Sequence, residues 1–337
     1  MTSDALPPFI RHLLKPGSYP HPADDLRLVQ THISFVLLAG DFVYKFKKPV
    51  DFGFLDFTTL AKRKFFCEQE LVLNRRLCPD LYLGVVTVTE HNGLLALDGA
   101  GEAREYGVKM KRMPEERMMA RLLAQGQCTA AMLDAIVMKL VPFYEAAAAD
   151  ADIAAFGSAQ AVGVNVLENF TQTATFVGSP ALSRLQYDTI NAYARALLGH
   201  EELFQARVAS GRVRDCHGDL YSANICLADQ VYIYDCIEFN QRFRYCDVAS
   251  DVAFLAMDLD FHGRPDLAEH FMEKFVAASG DRGLATVLNF YKCYRAYVRG
   301  KISLFTASAP EVDAATRTLC LEQARRYFVL AEGYANT

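Results

Sequence analysis

Short runs of alternating apolar and polar residues fill the first third of the chain. In residues 42–47 three aromatic residues alternate with Val43, Lys45 and Lys47, which predicts a strand with the aromatic side chains on one face and the lysines on the other. Further strands are predicted at 36–38, 81–90, 94–97 and 106–113, with a short helix near 9–14 and a long one from about 58 to 77. The pattern therefore predicts about five strands and one long helix before residue 114.

Helical periodicity dominates the rest of the chain. Segments rich in Ala and Leu predict helices at 116–123, 132–148, 186–198 and 201–211, and almost continuous helix after residue 247. Pro142 is expected to kink or split the second of these. Two short strands are predicted within 212–236. The fold class predicted is α+β, with a small β-rich lobe at 1–113 and a larger, mostly helical lobe at 114–337. The boundary is expected near 110–116, with residues 109–114 as an extended connector.

Composition excludes several classes of protein. Of the 337 residues, 52% are hydrophobic and 22% charged, which is typical of a folded globular chain and not of a disordered one. The net charge of −5 argues against a surface that coats nucleic acid. No run of about 18 apolar residues predicts a membrane helix. The beginning of the sequence does not resemble a signal peptide, so a cytoplasmic location is expected.

Four of the nine cysteines lie ten residues apart: Cys216, Cys226, Cys236 and Cys246. Zinc sites usually contain close pairs such as C-x2-C, and this spacing provides none. We therefore expect reduced thiols that fill small buried spaces.

A candidate catalytic constellation lies in residues 217–235. His217-Gly218-Asp219 is followed by Asn224, then by two short apolar strands joined by a polar turn, and then by Asp235. We expect the hairpin to bring Asn224 and Asp235 together. Phosphoryl transfer requires a carboxylate that accepts the proton of an attacking hydroxyl, and oxygen ligands that hold Mg²⁺ against a triphosphate.

This stretch resembles the aminoglycoside phosphotransferase-like branch of the protein-kinase-like fold, which also contains choline kinase-like enzymes. Residues 235–239 resemble the metal loop of that branch, with one extra residue before Glu238, and residues 247–253 resemble the start of the helix that follows it. The chain is also similar in layout to a bacterial group of this branch without a settled substrate. Some members of that group carry an extra P-loop kinase domain, and no G-x4-G-K-[ST] motif occurs in this sequence.

The resemblance implies a role for each residue of the constellation. Asp219 would be the catalytic base, Asn224 and Asp235 the Mg²⁺ ligands, and Asp251 a support for the catalytic loop. His217 would be a structural part of that loop. The resemblance also implies ATP as the phosphate donor.

The nucleotide side needs a lysine on a strand and a glutamate on the next helix. Lys45 is the preferred lysine and Lys47 its rival, and Glu70 is preferred to Glu68. A G-x-G-x-x-G loop is missing, so residues 31–34, ending at Ser34, are the candidate phosphate loop. We expect adenine to bind backbone groups of 108–113, around Met110.

The acceptor side is less well defined by the sequence. Tyr291, Arg295 and Arg299 recur every four residues on one face of a predicted helix, and arginines there would suit a carboxylate or phosphate on an anionic acceptor. Alternatively, these arginines pair with acidic residues inside the fold. Glu238, Asp258 and Asp260 would instead suit a cationic acceptor. Residues 165–173 form a polar cluster that caps a helix or lines the pocket.

The leading hypothesis is an ATP- and Mg²⁺-dependent phosphotransferase that modifies a hydroxyl of a small molecule. The alternatives are a nucleotide-binding pseudokinase that acts as a regulatory module, and a kinase whose acceptor is a macromolecule. The acceptor and the oligomeric state are left open by the sequence.

Overall fold

The computed structural model describes residues 6–310 and 312–337. The chain divides into two compact units. Unit 1 consists of Met1–Arg117 and Tyr232–Gln241, and unit 2 of Met118–Val231 and Arg242–Thr337. The sequence placed the boundary between residues 113 and 114, whereas the units divide after Arg117, and the segment that carries the candidate metal loop belongs to unit 1.

Unit 1 is built on an antiparallel sheet. Its elements are α1 (Pro8–Leu13), β1 (Leu26–Gln30), β2 (Ser34–Ala39), β3 (Phe42–Lys47), α2 (Leu60–Asn74), β4 (Tyr82–His91), β5 (Leu94–Leu97) and β6 (Glu102–Lys111). The strand order is β1-β2-β3-β6-β4-β5. The sequence predicted about five strands; the described part of unit 1 has six, because residues 25–48 form three strands.

The two faces of β3 meet different surroundings. Tyr44 and Phe46 are fully buried in a core to which α1 contributes Ile10 and Leu13. Since side chains alternate along a strand, Lys45 and Lys47 extend from the other face, where both contact Glu70 of α2. The predicted separation of aromatic residues and lysines is therefore confirmed.

Unit 2 is mostly helical. Its helices are α3 (Met119–Ala124), α4 (Ala130–Ala146), α5 (Ala151–Ala154), α6 (Ala159–Thr173), α7 (Arg184–Leu198), α8 (Glu201–Ala209), α10 (Val248–Phe261), α11 (Pro265–Ser279), α12 (Ala285–Ser308) and α13 (Ala314–Ala335). Its strands are β7 (Val213–Asp215), β8 (Ile225–Leu227) and β10 (Tyr245–Asp247). β9 (Val231–Ile233) and the short α9 (Gln241–Arg244) lie where the chain passes between the units. A sheet followed by helices confirms the predicted α+β class.

Two local predictions need correction. Pro142 lies inside α4 without splitting it. The polar residues 165–173, which were predicted to cap a helix or line a pocket ahead of a loop, belong to α6, whose N-cap is Ser158. Val162, Val166 and Phe170 bury one side of α6, where Asn169 and Thr173 are buried as well, and the other polar residues lie on the remaining faces of an amphipathic helix.

Helix α10 occupies the centre of unit 2. Every residue from Val248 to Leu259 is buried, Asp251 and Asp258 included. A helix that is covered on all sides fixes the position of each side chain it carries. Within the described residues, no helix combines the length and the apolar character needed to cross a membrane. The nine cysteines all lie in the described ranges and form no disulfide, and Cys216, Cys226 and Cys236 are buried as predicted.

Candidate active site

The candidate catalytic loop, residues 217–224 of unit 2, is held in place by Asp251. This residue is fully buried on α10, and its two carboxylate oxygens accept hydrogen bonds from the backbone N–H groups of His217 at 2.8 Å and Gly218 at 2.9 Å. The Tyr144 hydroxyl donates to the same carboxylate at 3.0 Å. Gly218 has a φ of +87°, a conformation that an L-residue adopts only with strain, which explains the glycine at this position.

Asp219 follows this glycine and is half-buried. Its backbone N–H donates to Nδ1 of the fully buried His217 at 3.2 Å. The side-chain amide of Asn224 donates to the Asp219 carboxylate and to its backbone carbonyl, both at 2.9 Å. The loop thus fixes the direction of a carboxylate that is still partly accessible, which is what a base acting on an incoming hydroxyl needs.

Arg295 of α12 also stabilises the position of this loop. Its guanidinium donates to the carbonyl oxygens of Gly218 and Ser250, both at 3.1 Å, and one nitrogen lies 4.0 Å from a carboxylate oxygen of Asp251. The side chain is buried. Arg295 was an acceptor candidate by sequence, but the structure commits its charge to the interior of unit 2, as the alternative interpretation of these arginines predicted.

In unit 1 a buried glutamate bridges both candidate lysines. Glu70 Oε1 lies 2.9 Å from Lys45 Nζ, and Glu70 Oε2 lies 2.7 Å from Lys47 Nζ. Glu70 is fully buried, whereas Glu68, the rival by sequence, is exposed and pairs with Lys64 one turn away. Burial alone would raise the pKa of Glu70, but the ammonium groups of Lys45 and Lys47 outweigh it and lower the pKa to about 2.

The second partner of each lysine separates their roles. Lys45, with 14% of its side chain exposed, also contacts Asp235 at 2.5 Å, and 42% of the Asp235 side chain is exposed. Lys47, with 1% exposed, forms its other ion pair with the buried Glu238 and lies over the ring of Phe57. Lys45 therefore reaches a carboxylate at the surface of unit 1, while Lys47 is enclosed.

Opposing effects act on the charges of this cluster. Burial lowers the pKa of each lysine, but carboxylates reverse the effect: Asp235 acts first on Lys45 and Glu238 first on Lys47, and both pKa values end above the ordinary lysine value. Burial raises the pKa of Glu238, and the Lys47 ammonium opposes it. Glu238 was predicted to face an acceptor; the structure encloses its carboxylate beside Lys47.

The metal loop is positioned by two residues that the sequence analysis missed. The Asn74 side chain accepts a hydrogen bond from the backbone N–H of Cys236 at 2.8 Å, and the Tyr82 hydroxyl accepts one from that of Asp235 at 3.2 Å. Asp235 has a φ of +63°, which is uncommon for a residue other than glycine and often marks a functional position. Asn74 lies one helical turn after Glu70, so helical spacing could have revealed it.

Oxygen donors of the kind that Mg²⁺ prefers are present in both units. Asn224 directs its amide hydrogens to Asp219, which leaves its carbonyl oxygen for other contacts. Asp235 presents an accessible carboxylate. Each of these groups, within its own unit, is an oxygen ligand of the type that Mg²⁺ accepts, because this ion takes few protein ligands and retains water and substrate phosphates as the others.

The two remaining nucleotide candidates lie in the sheet. Ser34 pairs across the strands with Lys47, is 1% exposed, and its hydroxyl is buried without a hydrogen-bond partner. The Thr31 hydroxyl accepts from the backbone N–H of Ser34 at 2.9 Å, so the turn is stabilised internally. Met110 pairs with Val43 on one side and Tyr82 on the other. Phosphate binding by Ser34 and adenine binding near Met110 stay predictions.

Comparison with known proteins adds two findings. Uncharacterized proteins of Mycobacterium tuberculosis strain H37Rv and Mycobacterium bovis are each 34% identical to this chain over 304 residues, a match that covers 87% of this chain and 59% of each relative. The chain therefore spans about three fifths of the length of these curated relatives. No known protein-family model matches the sequence.

A solved structure decides the fold. The crystal structure of a choline/ethanolamine kinase family protein from Mesorhizobium loti aligns with a TM-score of 0.51 over 94% of this chain and 93% of that one. This chain has the same fold. The kinase-like fold predicted from residues 217–253 is thereby confirmed, and at 12% identity the likeness extends to the fold alone.

Proposed function

We propose that this chain is an ATP- and Mg²⁺-dependent phosphotransferase that transfers the γ-phosphoryl group to a hydroxyl of a small-molecule acceptor. The observation that carries the proposal is the catalytic loop, in which Asp251 anchors the backbone and Asn224 orients the partly accessible carboxylate of Asp219. The kinase-like fold supports it, because the loop is then found in a scaffold whose known members include a choline/ethanolamine kinase family protein.

Asp219 would act as the base. Its carboxylate takes the proton of the acceptor hydroxyl while the hydroxyl oxygen bonds to the γ-phosphorus, and the bond from that phosphorus to the β–γ bridging oxygen breaks, releasing ADP. Asn224 keeps the carboxylate in place during this step, and Asp251 prevents the loop from moving. His217 is a packing residue that accepts the Asp219 N–H.

Lys45 is the residue we assign to the phosphates of ATP. It is the more accessible lysine of the cluster, and Glu70 holds its ammonium while its pKa stays above the ordinary lysine value. Asn224 and Asp235 would hold Mg²⁺, which when bound neutralises charge on the phosphates. Lys47 stabilises Glu70 and Glu238 rather than contacting nucleotide.

The proposal is tested by ADP release from ATP in the presence of Mg²⁺ and a pool of hydroxylated metabolites. Asp219→Asn retains the size of the side chain, so the loop keeps its hydrogen bonds, and turnover should fall by about 10²- to 10⁴-fold. Asp229→Asn, in the exposed turn between β8 and β9, is the matched control and should behave as wild type.

Three results would contradict the proposal, in part or as a whole. Turnover that persists in Asp219→Asn would take the role of base from Asp219. ATP binding without any turnover of wild type, over a broad pool, would favour a nucleotide-binding regulatory module. Phosphorylation of added protein or RNA in place of small molecules would make the acceptor a macromolecule.

A further inference from the structure

Helix α12 carries three residues that the sequence placed on one face as acceptor contacts. The structure gives two of them interior roles. Tyr291 is 2% exposed, and burial raises the pKa of its hydroxyl far above the ordinary value. Arg295 is committed to the carbonyl oxygens of Gly218 and Ser250. Only the third residue, Arg299, is left for a ligand.

Arg299 is held by aromatic rings and not by carboxylates. Its guanidinium lies 4.7 Å from the ring centre of Tyr221 and 5.9 Å from that of Tyr327, whose hydroxyl also accepts a hydrogen bond from it. Among the described residues no acidic side chain forms an ion pair with it, and its Nε atom is buried without a hydrogen-bond partner. A buried donor on a charged group is normally satisfied, so an arginine in this state points to a missing anion.

The surrounding residues prevent Arg299 from turning away. Tyr221 stacks on Phe254 with ring centres 5.3 Å apart and planes within 10°, and Tyr327 stacks on Phe261 at 3.8 Å. Tyr221, Phe254 and Tyr327 belong to the catalytic loop, α10 and α13. The guanidinium is therefore fixed between three elements of unit 2, while part of the side chain remains exposed.

Arg299 also interacts electrostatically with Asp219, the proposed base. Tyr221 follows Asp219 by two residues in the loop. Burial by itself would lower the pKa of Arg299, but Tyr221, Tyr327 and then Asp219 raise it, so the guanidinium stays charged. A positive charge beside the base is well placed for an anionic group on the molecule whose hydroxyl the base serves.

We propose that Arg299 binds a carboxylate or phosphate of the acceptor, so that the substrate is an anionic hydroxylated small molecule. The inference rests on the proposed phosphotransferase function and names the substrate class of that site. Arg299 would be a binding residue, since the proton still passes to Asp219 and the phosphoryl group to the acceptor oxygen.

The acidic residues that would favour a cationic acceptor are already occupied. Asp258 is buried and accepts the backbone N–H of Ser222 at 3.0 Å. Asp260 pairs with Lys292 at 2.5 Å and accepts the Tyr334 hydroxyl. Both carboxylates are therefore engaged inside the fold of unit 2, so neither favours a cationic acceptor over an anionic one.

The test uses series of related hydroxylated acceptors that differ in charge. Glycerol, glycerate and glycerol 3-phosphate form one series, and glucose, gluconate and glucose 6-phosphate another, with choline and glucosamine as cations. Wild type should phosphorylate the anionic members in preference to their neutral and cationic counterparts. Comparison of the acid with the phosphate ester within each series shows whether the site prefers a carboxylate or a phosphate. Arg299→Gln should raise KM for the anionic acceptor by about 10- to 100-fold, with a smaller change in kcat.

Two further variants keep the test decisive. Arg299→Lys retains the positive charge but not the planar guanidinium, and should give a KM between those of wild type and Arg299→Gln. This variant replaces Arg299→Gln in the test if the latter folds poorly. Arg326→Gln is the matched control, because Arg326 also stacks on this aromatic group, 4.2 Å from the ring centre of Phe261, but is exposed. It should leave KM unchanged.

A binding measurement distinguishes failure of this inference from failure of the proposed function. Calorimetric titration with inorganic phosphate and with tartrate should show binding to wild type that Arg299→Gln weakens by about tenfold or more. Anion binding through Arg299 without phosphotransfer to any acceptor would support the anion site and overturn the phosphotransferase. Preference for neutral or cationic acceptors, with KM and anion binding insensitive to Arg299, would overturn the anion site and leave the phosphotransferase.

Discussion

Lys45 and Lys47 are two residues apart on one face of β3 and share Glu70, yet their surroundings assign them different tasks. Lys47 is enclosed with Glu238 and Glu70, and removal of one partner from a buried ion pair leaves the other charge uncompensated. Lys45 is partly accessible and contacts the accessible Asp235. Accessibility, and not sequence position, is the basis on which we assign nucleotide binding to Lys45 and a stabilising role to Lys47.

Substitution by methionine should affect mainly stability at Lys47 and mainly nucleotide use at Lys45. Lys47→Met should lower the free energy of unfolding by about 3–5 kcal/mol, since Glu238 and Glu70 lose a buried partner. Lys45→Met should lower stability less and should raise KM for ATP while reducing kcat. Denaturant unfolding and ADP release measure the two effects, and each variant serves as the control for the other. Equal effects of both variants on stability and on KM would contradict the assignment.

The pH dependence of stability follows from Glu70. Its pKa is lowered to about 2 from an ordinary value of 4.5, so its carboxylate stabilises the fold fully above pH 4.5. That contribution, on the order of 3 kcal/mol, decreases as the pH falls from 4.5 towards 2.

Glu70→Gln carries no charge to titrate and provides the comparison. The difference in unfolding free energy between wild type and this variant should be constant above pH 5 and should shrink on acidification. Denaturant titrations over this range measure it. A difference that grows as the pH falls would contradict the sign of the shift.

At the scale of elements, α10 determines where the catalytic loop lies. The helix begins at Asp247, whose carboxylate caps it by accepting the backbone N–H of Ala249 at 2.9 Å. The same carboxylate forms two hydrogen bonds with Arg207, which also bonds to Asp281. One turn later the helix presents Asp251 to the loop. The N-cap and the loop support are therefore parts of one rigid element.

Asp247→Ala should remove the cap and leave Arg207 with a single buried acidic partner. We expect a loss of about 3–5 kcal/mol in unfolding free energy. Asp313→Ala is the matched control, because Asp313 caps α13 in the same way but is exposed, and it should cost only about 1 kcal/mol. Thermal or denaturant unfolding distinguishes them, and similar losses in both variants would show that the Arg207 contacts contribute little.

Elements with a strong hydrophobic periodicity could be predicted from the sequence, whereas elements with a weak periodicity could not. β3 and α2 were predicted within a few residues, because alternation in the strand and fourfold spacing in the helix both follow from burial of one face. α6 was missed because its apolar residues Val162, Val166 and Phe170 are outnumbered by small and polar ones. Burial of that face by neighbouring helices overrides the weak local preference.

At the scale of the whole molecule, the two units are not two continuous segments of chain. Residues 232–241 leave the helical unit and complete unit 1, where Asp235 and Glu238 supply acids for Lys45 and Lys47. A single domain boundary in the sequence cannot describe this arrangement, because unit 1 contains two separate segments of the chain. The curated relatives are longer, and the match covers 59% of each of them.

The sequence by itself determined the α+β class and the kinase-like fold, and it supplied the candidate residues of the 217–224 loop, because these depend on local periodicity and on a compact motif. Only the tertiary structure decided which charges are committed inside the fold. Tyr291, Arg295 and Arg299 are equivalent by spacing, and so are Lys45 and Lys47. Their partners come from residues far away in sequence, and burial against those partners is why we assign ligand binding to the less enclosed Lys45 and Arg299 and an interior role to Lys47, Tyr291 and Arg295.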